Sequence, residues 1–354
     1  MNPLVSIIIP LYNRVSVFEE TIKSVLQQTY PDWECLIIDD HSTDGSYELA
    51  KEFSEKDKRV KVYKREGLPK GAPRCRNEGI NLSEGKYIIF LDSDDLFSPF
   101  CLERRMSYCN KNPQKDFVVF PVILFRKTID DLNILQNIKT NENDLDRFIR
   151  RDIVWLTSGP IWKKQFLLKL NGFDETLPSQ QEYDLHVRAL LEEPDYSFEN
   201  TIPDTYYRFD ASGHEHIGKH TQLPIHLKAR EKILEKFVQI TMVKNQLSEI
   251  RKIYFAQYFL HLAWMWSWHQ KKTGRKVLFT GLRVWEKGRR YNLFSTKIYI
   301  FGCLYIMWKN FLFLKRTGNF HNSAGNFLTK KLDKYIFRKS KTQARIKLED
   351  LKYE

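Results

Sequence analysis

The chain has 354 residues, of which 42% are hydrophobic and 14% aromatic, and it carries a formal net charge of +13. This apolar content excludes a disordered chain, and the length predicts a main domain with an extension. The five cysteines form no Cys-x-x-Cys pair, which argues against a disulfide framework or a zinc site and predicts a reducing compartment. The N-terminus has no basic region before a long apolar core, so we expect a cytoplasmic protein without a signal peptide.

The first 91 residues alternate between short apolar runs and segments with helical spacing. The apolar runs predict strands over residues 4–9, 34–38, 60–63 and 87–91, and the segments between them predict helices. The first of these helices begins with the capping-box sequence Ser16-Val17-Phe18-Glu19. Strands and helices that alternate with short loops are typical of an α/β fold, a mostly parallel sheet flanked by helices.

Carboxylates directly follow two of these predicted strands. Asp39 and Asp40 end the second strand, and Asp92, Asp94 and Asp95 come after the fourth. Parallel strands bring their carboxyl ends to one edge of the sheet, where open α/β sheets bind ligands. One or two carboxylates together with substrate phosphate oxygens are the usual ligands of Mg²⁺ or Mn²⁺ at a nucleotide diphosphate. The alternative is a polar loop whose acidic side chains cap the next helix.

The sequence lacks the glycine-rich motifs that bind phosphate through backbone N–H groups. There is no Gly-x-Gly-x-x-Gly after the first strand and no Gly-x-x-x-x-Gly-Lys-[Ser/Thr] in the chain. We therefore expect a metal held by Asp94 to perform the role of the missing phosphate-binding loop.

Four segments in consistent order resemble glycosyltransferase family 2, whose members are inverting enzymes with a GT-A fold. They are VSIIIPLYN (residues 5–13), DDHSTDGS (39–46), GAPRCRNEGI (71–80) and FLDSDD (90–95). The resemblance covers about the first 210 residues. It implies a nucleotide-sugar donor, usually a UDP-sugar, and Mn²⁺ or Mg²⁺ as a cofactor.

The resemblance also implies roles on the donor side of such a site. Pro10 and Tyr12 would border the nucleotide pocket, whereas Asp40 would contact the base. Arg76 would approach the diphosphate.

Two further motifs of the family lie near the leaving diphosphate. Asp92 and Asp94 would form the Asp-x-Asp motif, with Asp94 as the direct metal ligand. The segment Tyr206-Tyr207-Arg208 resembles the Tyr-Arg that closes many catalytic domains of the family, so Arg208 would lie near the diphosphate. The family often has a histidine two residues later, where this chain has Asp210.

Inversion at the anomeric carbon requires a carboxylate that takes the proton of the acceptor hydroxyl. In the family this base is usually the Asp of a Glu-Asp pair that opens a helix. The corresponding positions here are Gln181 and Glu182, so we assign the base role to Glu182. Asp184 is the alternative base, but Arg188 lies four residues later and predicts a helical ion pair for it. Glu adds a methylene to the family's Asp, and catalytic rate depends on exact positioning.

The acceptor side is less clearly marked. Residues 117–125 predict another buried strand, and the polar stretch 127–151 predicts a long excursion beside the acceptor site. Trp162 lies in a segment that resembles the acceptor side of the family, where it would stack on a sugar. A buried core position is the alternative for this tryptophan.

Residues after 222 lie outside the resemblance, so we divide the chain into a catalytic domain over 1–222 and a helical, basic, aromatic extension over 223–354. Residues 271–347 contain 20 Lys and Arg against two acidic residues, whereas the rest of the chain sums to −5. The aromatic residues Trp264, Trp266 and Trp268 precede this basic region.

The extension has apolar runs, but none has the roughly 20 residues of a spanning helix. The basic and aromatic composition, with the uncharged run 298–308, predicts a helix that lies on an anionic membrane surface. An ordinary helical subdomain packed on the sheet is the alternative. No nucleic-acid-binding motif is present, so we expect no nucleic-acid partner.

Together these patterns predict a metal-dependent inverting glycosyltransferase of cell-surface polysaccharide synthesis. It would move a sugar from a nucleotide-diphosphate donor to a hydroxyl of a glycan or lipid-linked acceptor, peripherally on the inner face of the cytoplasmic membrane. A nucleotide-sugar-binding protein with weak or no transferase activity is one alternative, since Gln181-Glu182 departs from the family pair. A sugar-nucleotide nucleotidyltransferase is another, although the loop from Pro10 to Arg14 lacks the glycines it would need.

Overall fold

The computed structural model describes residues 4–132, 134–136, 138–209, 224–270, 277–312 and 346–347. In these ranges the strands are β1 (Val5–Leu11), β2 (Trp33–Asp39), β3 (Val60–Lys64), β4 (Tyr87–Phe90), β5 (Leu96–Phe97), β6 (Phe117–Val119), β7 (Val122–Phe125), β8 (Ile134–Leu135), β9 (Pro160–Lys163), β10 (Tyr196–Phe198), β11 (Thr205–Arg208) and β12 (Ile346–Lys347). The helices are α1 (Val15–Leu26), α2 (Ser46–Lys56), α3 (Ala72–Leu82), α4 (Cys101–Lys111), α5 (Asp144–Ile149), α6 (Lys164–Lys169), α7 (Gln181–Leu191), α8 (Pro224–Val243), α9 (Glu249–Gln270), α10 (Val277–Arg290) and α11 (Thr296–Leu312).

The strands described above form two sheets. The first has the order β10-β6-β9-β4-β1-β2-β3, and within it only β9 runs antiparallel to its neighbours among the described strands. The second has the order β12-β8-β7-β11-β5. The large, mostly parallel sheet confirms the predicted α/β fold. It also places the carboxyl ends of β4, β1 and β2 side by side at one edge.

Helices cover both faces of this sheet because its central strand is apolar on both sides. Ile7 and Ile9 of β1 pack in one hydrophobic cluster with α1, whereas Ile8 points to the opposite face, where α3 lies. Helix α3 packs very closely there, since a Cβ on Gly79 would lie 2.4 Å from the Ile8 side chain. Burial on both faces is the reason that these strands are continuous apolar runs in the sequence.

Two local predictions are wrong, one because of partners distant in sequence and the other because of a proline inside the predicted strand. Helix α1 begins at Val15 without a side-chain cap of its own. The loop after β2 caps it instead, because Asp44 Oδ2 accepts from the N–H of Val15 (3.0 Å) and Ser46 Oγ from that of Arg14 (2.8 Å). The predicted strand over 117–125 is divided at Pro121, which has no N–H to continue the ladder. Its halves, β6 and β7, belong to different sheets.

The described helices from residue 224 onward pack against α7 and α5 and share one hydrophobic cluster with the first sheet. One hydrophobic cluster contains Ile8 of β1 together with Leu234, Phe259 and Trp285 of α8, α9 and α10. Trp266 is 4% exposed and belongs to the same cluster. The described helices therefore agree with the alternative of a packed helical subdomain.

The predicted membrane contact concerns mostly residues outside the described ranges. Of the 20 basic residues between 271 and 347, 13 lie in the stretches 271–276 and 313–345, and the side chain of Trp268 is likewise outside the described part. Among the helices that are described, none combines the length and apolar character needed to cross a bilayer.

Candidate active site

A cleft with a volume of about 1500 Å³ opens at the carboxyl ends of β1, β2 and β4. The fold brings the predicted donor-side and base residues together in its walls. The predicted residues that line it are Pro10, Tyr12, Asp40, Arg76, Asp92, Asp94, Glu182 and Arg208. The predicted acceptor residue Trp162 does not belong to this lining.

Asp40 is buried at the end of β2 and held by two partners. Its Oδ1 accepts from Arg65 Nε at 2.9 Å, and its Oδ2 accepts from the backbone N–H of Gly71 at 2.6 Å. Arg65 was not identified from the sequence as a site residue. The parallel register pairs Asp39 with Lys64, so the next residues of the two strands, Asp40 and Arg65, meet at the sheet edge. The carboxylate is thereby fixed, and its remaining lone pairs can accept further bonds.

The turn after β4 concentrates three carboxylates. Asp92 Oδ1 pairs with Arg76 Nη2 at 2.5 Å, and Asp94 Oδ2 lies 3.6 Å from Arg14 Nε. Asp95 is buried and accepts from the backbone N–H of Arg208 at 2.9 Å. Burial raises the pKa of Asp95 well above its ordinary value, and the negative charges of Asp94 and Asp92 add to the rise.

These carboxylates fit a divalent cation as a donor set. Asp92 and Asp94 offer hard oxygen ligands to the cleft, and their negative charges add to the burial that raises the pKa of Asp95. Within the described ranges, no three His, Cys, Asp or Glu side chains gather as a complete metal-binding group. Proteins usually bind Mg²⁺ through one or two carboxylates, while substrate phosphates and water complete the coordination shell.

Arg208 connects the second sheet to the carboxylate turn. Its Nε donates to the backbone carbonyl of Asp94 at 2.9 Å, and its Nη2 pairs with Glu20 Oε2 at 2.6 Å. The guanidinium also lies 4.5 Å from the ring centroid of Phe125. The arginine is therefore held beside the turn that carries Asp92 and Asp94.

The two candidate bases on α7 have different environments. Glu182 lies in the first turn of α7, is half-buried and lines the cleft, and its carboxylate has no hydrogen-bond partner among the described residues. Asp184 is fully buried and pairs with Arg188 at 2.7 Å, as the spacing predicts, and with Lys236 at 2.6 Å. Asp184 is thus engaged in the interior, whereas Glu182 faces the cleft.

Trp162 is a core residue, so the prediction that it stacks on a sugar is wrong. It is 0% exposed on β9, and its ring centroid lies 4.4 Å from that of Phe117 and 6.0 Å from that of His186. Strand β9 lies inside the first sheet, between β4 and β6, and helices cover that sheet. The ring cannot reach the cleft from this position.

Helix α8 contributes residues to the cleft that lie beyond the predicted domain boundary. Ile225, Lys228, Ala229 and Lys232 line it, and Lys232 Nζ donates to Thr176 Oγ1 at 2.6 Å. The spacing of Lys228 and Lys232 puts both on one helix face, but only the tertiary arrangement directs that face to the cleft. Asp210 and residues 211–223, which come before α8 in the sequence, lie outside the described residues.

Comparison with sequences identifies relatives over the catalytic part. Residues 6–162 match the model of Glycosyl transferase family 2. The uncharacterized glycosyltransferase MJ1057 of Methanocaldococcus jannaschii is 32% identical over 205 residues, which are 56% of this chain and 68% of that protein.

Two shorter matches concern proteins with more specific names. The putative teichuronic acid biosynthesis glycosyltransferase TuaG of Bacillus subtilis is 40% identical over 108 residues, 30% of this chain. The UDP-Glc:alpha-D-GlcNAc-diphosphoundecaprenol beta-1,3-glucosyltransferase WfgD of Escherichia coli is 43% identical over 109 residues, 31% of this chain. This chain spans 42% of the length of each of these two relatives.

Comparison with solved structures gives a match over most of the chain. The crystal structure of S. aureus TarS 1–349 in complex with UDP-GlcNAc has a TM-score of 0.63 and 16% identity, and the match covers 86% of this chain and 88% of that one. At this identity the likeness concerns the fold.

Proposed function

This chain belongs to glycosyltransferase family 2 and is a glycosyltransferase, and we propose that it is metal-dependent, inverting, and transfers a sugar from a UDP-sugar to a hydroxyl of a glycan or lipid-linked acceptor. The observation that carries the proposal is one cleft with Arg76, Asp92 and Asp94 on its donor side and an unpaired Glu182 on its acceptor side. Relatives named for teichuronic acid and diphosphoundecaprenol-linked glycan synthesis support a role in cell-surface polysaccharide synthesis.

On the donor side, the chain's own residues would bind and orient the nucleotide sugar. Pro10 and the exposed Tyr12 would border the nucleotide, and Asp40, fixed by Arg65, would accept a hydrogen bond from the base. Arg76 is buried with an unpartnered Nε, so it has a donor available for a diphosphate oxygen. A hydrogen bond to a charged oxygen is about twice as strong as one between neutral groups.

Asp94 and Asp92 would hold Mn²⁺ or Mg²⁺ together with diphosphate oxygens. The bound cation would stabilise the negative charge that develops on the leaving diphosphate. Arg14 and Arg208, which already lie against this turn, would bring further positive charge to the same group.

The base role is assigned to Glu182 because it faces the cleft without a partner. Its carboxylate would take the proton of the acceptor hydroxyl as that oxygen attacks the anomeric carbon from the side opposite the diphosphate. Asp184, between Arg188 and Lys236, would instead stabilise α7 and its packing on α8.

The metal assignment makes a testable prediction about UDP binding. Mn²⁺ is expected to raise the affinity of the wild type for UDP at least tenfold, because the diphosphate otherwise meets the carboxylates of Asp92 and Asp94 directly. Calorimetric titration of UDP with and without Mn²⁺ measures the difference, and Asp94→Ala should abolish it. Asp195→Ala, at a half-exposed position outside the cleft, is the matched control. Equal UDP affinity with and without Mn²⁺ in the wild type would contradict the assignment.

Hydrolysis of the donor distinguishes a catalytically active glycosyltransferase from a protein that only binds the nucleotide sugar. A glycosyltransferase slowly releases free sugar from its donor in the absence of acceptor, because water takes the place of the hydroxyl. A panel of nucleotide sugars incubated with Mn²⁺, with released nucleotide as the readout, should identify one donor that is cleaved. Binding of a nucleotide sugar without any cleavage would favour the non-catalytic alternative.

We also retain the proposal that the basic extension contacts an anionic membrane. Each Lys or Arg near such a surface contributes about 1 kcal/mol, and salt screens this attraction. The full chain should sediment with anionic vesicles at low salt and less so at high salt. Replacing Lys330, Lys331 and Lys334 with glutamine should weaken sedimentation, whereas the same change at the exposed Lys51, Lys56 and Lys58 should not. No sedimentation of the wild type at low salt would refute the proposal.

A further inference from the structure

Two arginines lie close to each other beside the start of α7, and neither forms a salt bridge with a described carboxylate, although the negative charge of Glu182 acts on Arg151. Arg151 follows α5, and its Cζ lies 4.2 Å from the ring centroid of Tyr183 and 5.2 Å from that of Tyr258. Arg230 is on α8 and contacts Met265 Sδ through Nη1 at 3.3 Å. Burial lowers the pKa of Arg230, and the positive charge of Arg151 lowers it further.

Each of the three side chains in this cluster has one solvent-inaccessible donor atom without a hydrogen-bond partner. Arg151 Nη1, Arg230 Nε and the Tyr258 hydroxyl are each inaccessible to solvent and lack a hydrogen-bond partner. Buried donors in folded proteins are almost always paired, and a buried charge without a counter-charge is strongly destabilising. The cluster is therefore positively charged, and three of its donor atoms, one on each side chain, have no acceptor among the described residues.

The cluster adjoins the acceptor side of the cleft through one short turn. Arg151 Nη2 donates to Gln180 Oε1, and Gln180 has a left-handed backbone (φ 64°) immediately before α7. His226, one helical turn before Arg230, bonds Ser179 Oγ at 2.9 Å. Ser179, Gln180 and Glu182 all line the cleft. The first N–H groups of α7, which has no side-chain cap, add partial positive charge at the same place.

We propose that Arg151, Arg230 and Tyr258 form a subsite for a phosphate group of the acceptor. Guanidinium groups bind phosphate oxygens through paired N–H donors, and the tyrosine hydroxyl supplies a further donor. A phosphate held here would anchor the acceptor beside Glu182, which takes the proton of the attacking hydroxyl. This inference rests on the proposed function, and it narrows the acceptor class to molecules that carry a phosphate or diphosphate, either on a lipid or on a soluble polyol.

The competing explanation is that the arginines only brace the Gln180 turn. The two explanations predict opposite effects of Arg230→Met on stability. If Arg230 is a structural brace, its loss lowers the unfolding midpoint of the chain. If Arg230 is instead an anion-binding residue, Arg230→Met removes a partly buried charge that has no salt-bridge partner. The unfolding midpoint should then rise, and the stabilisation by added phosphate should disappear.

The experiment uses the full chain with the donor site filled by UDP and Mg²⁺. Farnesyl diphosphate, glycerol 3-phosphate, inorganic phosphate and farnesol are titrated by calorimetry, and thermal unfolding is recorded for each mixture. We expect a phosphate-bearing probe to bind the wild type at least tenfold more tightly than it binds Arg151→Gln or Arg230→Met. Arg104→Met, at an exposed position outside the cleft, should bind as the wild type does.

The arms of this experiment identify the source of the phosphate and can overturn the inference. Preference for farnesyl diphosphate over glycerol 3-phosphate indicates a lipid-linked acceptor, and the reverse preference indicates a polyol phosphate. Three results would overturn the inference. The first is equal binding of the phosphate-bearing probes to the wild type and both variants, and the second is farnesol binding as tightly as farnesyl diphosphate. The third is a lower unfolding midpoint of Arg230→Met together with unchanged phosphate binding. Donor hydrolysis is measured separately. Hydrolysis without arginine-dependent phosphate binding defeats only this inference, whereas phosphate binding without hydrolysis defeats only the proposed function.

Discussion

Replacing Glu182 with glutamine is expected to lower turnover by about 10²–10⁴ while leaving the affinity for the nucleotide sugar unchanged. Glutamine keeps the size of the side chain and its position at the cleft but cannot accept the proton of the acceptor hydroxyl. Because the Glu182 side chain has no hydrogen-bond partner among the described residues, its replacement breaks no hydrogen bond that holds the fold together. Turnover is measured as the single-turnover rate with a nucleotide sugar that the wild type cleaves. Nucleotide affinity is measured by calorimetric titration of UDP.

Asp184→Asn is the matched control on the same helix. It removes the negative charge between Arg188 and Lys236, so we expect lower stability rather than a loss of the chemical step. Glu182→Asp keeps the carboxylate but shortens the side chain by one methylene, and it should retain more activity than Glu182→Gln. A folded Asp184→Asn variant without turnover, beside an active Glu182→Gln, would reverse the two roles.

The sheet could be predicted from the sequence because its signal is local. Strands β1, β2 and β4 are buried on both faces, so each is a continuous apolar run, and the first polar residue after each run marks the sheet edge. This is why Asp40 and Asp92 could be placed at one edge from the sequence. The ion pair between Asp184 and Arg188 was also predictable, since residues four apart on a helix are neighbours.

The predictions of the α1 cap and of an exposed Trp162 failed because both features depend on contacts with residues distant in sequence. The cap of α1 comes from Asp44 and Ser46, which follow β2, rather than from the helix's own Ser16. Trp162 is indistinguishable in the sequence from an exposed aromatic residue, because its burial is determined by Phe117, Phe166 and His186 around it.

The same limit explains the site residues that the motifs did not reveal. Arg65 meets Asp40 only because β3 pairs with β2 in one particular register. Lys228 and Lys232 follow the end of the family resemblance, and they reach the cleft because α8 packs against α7. The motifs end before α8, so they carry no information on the residues that this helix adds to the cleft.

The interior of the protein offers a second large expected effect, at an ion pair between α4 and β11. Arg105 and Asp204 are at most 1% exposed and form a bidentate pair, with Nε to Oδ2 at 3.0 Å and Nη2 to Oδ1 at 2.6 Å. Arg105 also donates to the carbonyl of Ser158 and to the hydroxyl of Thr205. This single side chain therefore ties a segment of the cleft wall to the strand that ends in Arg208.

Replacing Arg105 with alanine is expected to lower the free energy of unfolding by about 3–5 kcal/mol, because it leaves the Asp204 carboxylate buried without a counter-charge. The pair itself is worth less than that loss, since both charges had to leave water to form it. The double variant Arg105→Met, Asp204→Leu removes both charges, so it should be more stable than Arg105→Met alone or Asp204→Leu alone. Urea unfolding, analysed with one common slope, measures the free energy of unfolding of these variants. The control is Arg104→Ala, at the exposed neighbour on α4, which should stay within about 0.5 kcal/mol of the wild type. If Arg105→Ala costs no more than Arg104→Ala, the pair does not hold β11, and the position of Arg208 must be fixed by Asp95 and Glu20 instead.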